Sequence, residues 1–576
     1  MTDATTKPPV HRWVFWPAAI IVLVFTAFTI IAPDVAGTVF DTVQAFIVRN
    51  FSWYYVLIAA IFVAFSLFMG FGRFGGIKLG KDDDEPEFSL VSWFALLFAA
   101  GMGIGLVFYG VSEPLSHFAS PRPGVTGTDA QLAQQALSQT YLHWGVHAWS
   151  IYVVVGLALA YAIHRRGRPV GIRWALEPLL GRKRVEGGWG NTVDVLALVG
   201  TIFGVATSLG LGVLQIGAGL ESLGVLEQST FSSIMIIAVI TIAVLASVLS
   251  GVGKGMKWLS NTNLMLAGAL LLFILIVGPS QFLLRDLVQS IGHYLQNFIS
   301  LSFTVSAFAG DEGVAWQSSW STFYWGWWMS WAPFVGIFIA RISRGRTVRE
   351  FVAGVILVPT LVTFVWFAVL GGTALYTELS GDSTLLNADG TVDVEASLFT
   401  LLQSLPGGGA LVIGALLLIA VFFVTSADSG SLVMGMLASG GDVEPKNWMR
   451  AFFAVLTALL ATALLLSGGL SALQTAAIST ALPFSVVLLA ICWATVVAFT
   501  RERRAYEKAE RDALLDRIGD YYGLEVDEPS ERAPKPLFRF RLNRNKPVAA
   551  PATGTTDGDA DATGTTVTSE ETEPKA

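Results

Sequence analysis

Runs of about twenty apolar residues recur along this chain, each long enough for an α-helix to cross the hydrocarbon core of a bilayer. A chain patterned this way is limited to a bundle of membrane-spanning helices, because lipid offers no partner to a free backbone N–H or C=O. The runs predict twelve spans, near residues 14–33, 53–72, 89–116, 138–163, 191–220, 231–250, 261–279, 316–340, 351–372, 409–439, 449–467 and 473–499. Only 14% of the 576 residues are charged, against about 25% in soluble domains. That excludes a soluble enzyme, a nucleic-acid-binding protein and a disordered scaffold. The first run is too long for a cleavable signal, and no small-residue cleavage site follows Pro33. The single cysteine, Cys492, excludes a disulfide framework and reads as packing.

Lys and Arg set the expected orientation. They crowd alternate loops, at Arg73, Lys78 and Lys81, from Arg165 to Arg184, at Lys254 and Lys257, from Arg341 to Arg349, and at Lys446 and Arg450. The opposite loops hold only Arg49, Arg122 and Arg285. The positive-inside rule puts both termini in the cytoplasm of a multi-pass cell-membrane protein. The expected organisation is an N-terminal segment 1–13, a helical domain 14–500 and a tail 501–576. The tail starts as a charged helix and ends in a low-complexity run too polar to fold. Between the seventh and eighth spans, residues 281–299 put apolar side chains at helical spacing opposite Arg285, Asp286, Gln289, His293 and Gln296. This predicts an amphipathic helix lying in the outer interface.

Several features could carry chemistry. The third span contains Ala99-Ala100-Gly101-Met102-Gly103-Ile104-Gly105. No strand precedes it, so a nucleotide-binding loop is disfavoured. Close helix packing through small residues is one reading; a helix unwound at mid-membrane, with carbonyls for a cation and amides for a carboxylate, is the other. Tryptophan is concentrated at 316, 320, 325, 327, 328 and 331, and the fourth span adds Trp144, Trp149 and Tyr152. At about 100° per residue Trp149 falls about 140° from Trp144, with Tyr152 between them at about 80°, so all three can line one concave face. Aromatic walls of this kind hold quaternary ammonium groups at roughly 2 kcal/mol or more once desolvated. A tryptophan-rich helix contact would have the same spacing. The tenth span carries Thr425, Ser426 and Asp428. Its hydroxyls suit sodium, or bond back to their own helix, and Asp428 is either functional or a helix contact. His143 and His147 are spaced as a metal pair but lack a nearby acidic or cysteine partner in sequence, and Glu113-Pro114 reads as a turn.

The segments GMGIGLVFYGVSEPLSHF, HWGVHAWSIYVVVGLALAY, TIFGVATSLGLGVLQIG, STFYWGWWMSWAPFVGIFIARISRGRTVREF and FFVTSADSGS resemble the betaine/carnitine/choline transporter family, with likeness from about residue 12 to 500. The resemblance implies an all-α integral membrane protein with a LeuT-like inverted repeat of five plus five helices, spans 3–7 and 8–12, behind two extra helices. It also implies a homotrimer, with the amphipathic helix contributing to subunit contacts. Carried over by motif, the aromatic box is Trp144, Trp149, Tyr152 and Trp328, with Trp331 on the inward exit path. Sodium, the coupling ion, would take carbonyls of Ala99, Met102 and Phe422 and the hydroxyls of Thr425 and Ser426. A second sodium would use Thr201 and Phe334, but Val205 stands where a hydroxyl is expected, which puts that site in doubt.

Gly101, Gly103 and Gly105 keep the unwound stretch free of side chains, a pattern that resembles glycine betaine transporters, whereas choline transporters tend to place an acidic or polar residue there. The expected function is sodium symport of a quaternary-ammonium compatible solute, glycine betaine foremost, by alternating access and with osmotic regulation. The alternatives are proton-coupled or exchange transport of choline, carnitine, ectoine or proline. From other classes, a channel or an osmosensor remains. No enzyme activity, cofactor or nucleic-acid partner is expected; the partners are substrate, membrane lipid and further copies of the chain.

Overall fold

The computed structural model describes residues 10–101, 103–250, 253–381 and 385–522, together with two short strands, Leu524–Val526 and Phe540–Leu542. Residues 1–9 of the N-terminal segment, Met102 and the low-complexity end of the tail lie outside the described residues. The chain forms two units, Met1–Arg503 and Arg504–Ala576. In the second, the two strands pair antiparallel with Leu524 opposite Leu542.

The first unit is helical. Its longer elements are α1 (Arg12–Ile31), α2 (Pro33–Phe71), α3 (Leu90–Gly101), α4 (Ile104–Ala119), α5 (Asp129–Trp144) and α6 (Val146–Ala160). There follow α7 (Gly188–Ser222), α8 (Thr230–Ser250), α9 (Gly253–Val277), α10 (Ser280–Ser302) and α11 (Gly310–Ser319). The series ends with α12 (Ser321–Arg341), α13 (Val348–Leu379), α14 (Gly408–Ala438) and α15 (Asn447–Tyr522). Among the described residues, eight helices are long and apolar enough to cross a membrane by length and composition, or nine if the bent pair around Gly278 counts as one span.

The difference from twelve expected spans has local causes. The third expected span is broken: α3 stops at Gly101 and α4 restarts behind Gly103, whose backbone is extended at φ −141°, ψ −173°. Glycine is among the poorest helix formers, and alternating glycines weaken the helix where it must open. The eighth is α12, in which Trp, Tyr and Ser replace aliphatic residues. The last two are joined in α15, with non-helical geometry at Gly468 and Gly469 between them. Residues 281–299 lie within α10, bent by 111° from the helix before it. Leu284, Val288, Leu295 and Ile299 on α10 are exposed, while Leu283 and Tyr294 are buried.

Two features position the interior. Helix α12 is buried on nearly every side and packs along α6, as a helix apolar all round should. Helices α5 and α6 meet at Gly145, where a Cβ would stand 2.5 Å from the Tyr141 carbonyl oxygen and 2.9 Å from Phe364 Cε1. Only glycine fits there, so the break is built in. It also overturns the expected wheel: Trp144 ends α5 while Trp149 and Tyr152 belong to α6, so the three do not share one helical face. The expected turn at Glu113-Pro114 is likewise corrected, because α4 runs through both to Ala119. Gly371 on α13 makes room for the proline ring, whose Cγ would be 2.4 Å from a Cβ at that position.

Candidate functional site

The break at Gly145 leaves carbonyls at the end of α5 without helical partners, and side chains take them. Trp328 on α12 donates its indole N–H to the His143 carbonyl at 2.9 Å, and the Thr363 hydroxyl on α13 donates to the Thr360 carbonyl of its own helix at 2.8 Å or to the Trp144 carbonyl at 3.4 Å. These bonds bring the aromatic residues together across three elements. Trp144 meets Trp328 edge-on at 4.9 Å, and Tyr152 meets Trp328 edge-on at 6.3 Å. Trp149 packs edge-on against Tyr152 at 5.5 Å. Trp327 stacks on Trp328 at 4.7 Å and turns its edge to Trp331 at 6.5 Å. All five tryptophan and tyrosine side chains expected at the site are at most 6% exposed. Trp327, noted in the tryptophan-rich run but not placed in the expected box, belongs to this cluster, as does Phe367, 5.4 Å from Trp144, which the sequence reading did not include.

The glycines after the break touch the same rings. A Cβ on Gly105 would stand 2.4 Å from Trp327 Cη2 and 3.0 Å from Trp144 Cη2, and one on Gly103 would stand 3.5 Å from Trp331 Cη2. Gly204 on α7 is equally tight, with Trp331 Cδ1 at 2.6 Å. Helix α4 can therefore lie against Trp327 and Trp144 only because Gly105 in its first turn has no side chain. Trp366 donates to the Leu106 carbonyl at 2.8 Å and Gln215 to the Val107 carbonyl at 3.2 Å, fixing that turn in place. Gly101 ends α3, and nothing is described of its surroundings.

Glu113 is the main residue that sequence reasoning missed. It is fully buried on α4. Its Oε2 accepts from Trp144 Nε1 at 2.6 Å and from the Tyr324 hydroxyl. Its Oε1 lies 2.7 Å from His143 Nδ1 and 3.3 Å from His117 Nε2. His143 thus has the acidic partner that its sequence neighbourhood lacks, thirty positions upstream. His147 is outside this cluster and stacks on Trp325 at 5.3 Å. An ionisable residue inside an apolar helix was the available signal.

The expected sodium ligands are brought together only in part. Thr425 Oγ1 donates within its own helix, to the Val421 carbonyl at 2.9 Å or the Phe422 carbonyl at 3.1 Å, and accepts from Asn263 Nδ2 at 3.1 Å. The hydroxyl of Thr425 and the carbonyl of Phe422 are therefore neighbours, and Ser426 beside them is half-buried. Ala99 lies in the last turn of α3, and Met102 is outside the described residues. At the second position, Thr201 Oγ1 donates to the Ala197 carbonyl at 2.7 Å and Phe334 packs on Trp331 at 5.4 Å. The Val205 side chain fills the gap to Gly430, where a Cβ would meet it at 3.3 Å. Asp428 accepts from Arg450 and Ser247, each at 2.7 Å, so its carboxylate is engaged in a buried ion pair. Cys492 is buried and free.

Comparison with known proteins decides the family. The sequence model of betaine/carnitine/choline family transporters (BCCT) matches residues 13–504. The chain belongs to this family. It is therefore a multi-pass membrane transporter and not an enzyme. It is 50% identical over 491 residues to an uncharacterised transporter of Mycobacterium tuberculosis, covering 84% of this chain and 82% of that one. It is 45% identical over 498 residues to the glycine betaine transporter OpuD of Bacillus subtilis, covering 86% and 96%. Against the osmo-dependent choline transporter BetT2 of Acinetobacter baylyi it is 40% identical over 499 residues, covering 85% and 71%. The BCCT match ends near the boundary between the two units, so the tail beyond Arg503 lies almost wholly outside it.

Proposed function

We propose that this BCCT transporter imports glycine betaine by sodium symport, with the trimethylammonium group held among Trp144, Trp149, Tyr152 and Trp328. The observation that carries the reading is the buried cluster of edge-to-face and stacked indoles centred on Trp328, next to a helix start that turns Gly103 and Gly105 to the rings. Ring faces attract a methylated cation, and backbone amides at an opened helix attract a carboxylate. Betaine has both groups; choline has only the first. Trp331, beyond the stack, lines the inward exit. Sodium binds at the carbonyls of Ala99, Met102 and Phe422 with the hydroxyls of Thr425 and Ser426, and the adjacency of Phe422 and Thr425 supports this. At the second sodium position, Thr201 and Phe334 flank Val205, whose missing hydroxyl argues for a single coupling ion.

The proposed frame is twelve spans in a five-plus-five inverted repeat behind two extra helices. Both termini are cytoplasmic, and the chain assembles as a homotrimer. The exposed apolar row on α10 supports its use in subunit contacts. The charged tail makes the carrier responsive to osmotic stress. The test is uptake of radiolabelled glycine betaine into proteoliposomes, which is expected to require an inward sodium gradient; equal uptake with potassium in place of sodium removes symport. A second reading, proton coupling, draws on the buried Glu113, His117 and His143 beside the box. It predicts uptake driven by a pH gradient without sodium.

A further inference from the structure

Around Glu113 the fold assembles two imidazoles whose rings are not part of the aromatic box. Oε2 already serves Trp144 and Tyr324, while Oε1 faces two imidazole nitrogens, at 2.7 Å and 3.3 Å. Glu113 and His117 sit one turn apart on α4, and His143 comes from the last turn of α5. One ligand atom from each lies within 4.8 Å of the other two. We propose that Glu113, His117 and His143 form a binding site for a divalent transition-metal ion of the zinc type.

The donor set selects the ion. Two imidazole nitrogens and one carboxylate oxygen, with a fourth position open, suit zinc, whereas magnesium and calcium take shells of oxygen. At metal–ligand bonds of about 2.0–2.1 Å, tetrahedral ligand atoms stand about 3.3 Å apart. The His117–Glu113 separation already has that value; the His143–Glu113 separation must open by about half an ångström, and the two imidazoles, within 4.8 Å of each other, must take up the same spacing. Its far nitrogen, Nε2, lies 3.0 Å from Ser321 Oγ and 3.1 Å from Gln139 Nε2. The Gln139 amide donates to this nitrogen as it stands, so a bound ion requires that amide to turn its oxygen to the ring; Nε2–H then has Ser321 and Gln139 as acceptors and Nδ1 is free for the ion.

Two further observations point to a ligand. Among the described residues, the only ion-pair partners of the fully buried Glu113 carboxylate are these two imidazoles, with no Lys or Arg beside it. A divalent cation would supply the compensating charge that burial demands. His117 Nδ1, on the side of the ring away from Glu113, is buried with no hydrogen-bond partner, so nothing on that side fixes the tautomer of the ring that presents Nε2 to the site. His117 also forms part of the wall of a cavity of about 150 Å³ whose lining includes Gln139, Ser138, Asn297, His293 and Arg122. That gives a hydrated ion a polar approach to the ring.

The experiment is a zinc titration by calorimetry on the full chain in detergent, with any affinity tag removed, combined with X-ray absorption at the zinc edge. The expected result is one zinc per chain with two imidazoles in its first shell and no displacement by excess magnesium. His117→Gln should weaken binding at least about tenfold and remove one imidazole from the shell, with an unchanged gel-filtration profile. His143→Gln should do the same through a residue on the other helix. Absence of zinc binding, a shell without imidazole, or unchanged zinc affinity in either variant overturns the site. The titration uses no substrate, so its failure leaves the betaine reading untouched, and failed betaine binding would leave the metal site standing.

Discussion

Trp144 donates its indole N–H to Glu113 across 2.6 Å, so a box wall on one helix is held by a carboxylate on the next. The same oxygen accepts from Tyr324 on α12, and three helices converge on it. Hydrogen bonds to a charged group contribute about 1.5–3 kcal/mol each.

Glu113→Gln leaves one acceptor oxygen where two served three donors. Glycine betaine binding to the purified transporter is expected to weaken by about tenfold or more, with a lower thermal midpoint. Equilibrium binding of radiolabelled betaine and a melting scan check both. Unchanged binding would mean that the carboxylate does not position Trp144.

The glycines give a graded comparison. Gly105→Ala would drive a methyl to 2.4 Å from Trp327, whereas at Gly103 the nearest ring atom is 3.5 Å away, an ordinary contact. Overpacking costs about 1–3 kcal/mol, so Gly105→Ala should lower stability and betaine affinity while Gly103→Ala changes either by little. Equal effects in melting and binding assays would contradict close approach as the reason for Gly105.

Asp428 and Arg450 form an ion pair at 2.7 Å, with side chains 2% and 12% exposed. Removing one partner of a buried pair costs about 3–5 kcal/mol because the other charge is left alone. Arg450→Met should therefore cost more than the double variant Arg450→Met with Asp428→Asn, as a double-mutant cycle on thermal stability would reveal.

Asp84, in the loop after α2, is held below the usual carboxylate range by its hydrogen bond to Arg344. A depressed carboxyl contributes stability above its unfolded value, and that contribution is lost as pH falls through the folded one. The melting difference between the protein and Asp84→Asn is thus expected at neutral pH and should shrink in acid below the usual carboxylate range. A difference independent of pH would show that the charge is not its source.

Much of this architecture was legible because membrane helices declare themselves by length and apolarity. Where the spans broke, glycine was the signal, at Gly103, Gly145 and the Gly468-Gly469 pair. The membership of the aromatic cluster was readable from tryptophan placement, but the angle between Trp144 and Trp149 was not. That angle depended on Gly145 interrupting the helix, at a position where Phe364 of α13, outside the local pattern, leaves no room for a side chain. Glu113 read as a turn because of the proline after it, and only tertiary packing supplies its three donors from α5 and α12. Likewise the partner of Asp428 lies twenty-two positions away on another helix, a separation no helical period encodes.

The central claim is that Trp328 and its neighbours hold the methylated nitrogen. The most direct measurement is equilibrium binding of radiolabelled glycine betaine to the purified chain and to Trp328→Leu, with melting scans to confirm folding. A cation–π contribution of about 2 kcal/mol corresponds to roughly thirtyfold in affinity, so the variant should bind at least that much more weakly. A folded Trp328→Leu protein with unchanged betaine affinity would contradict the account.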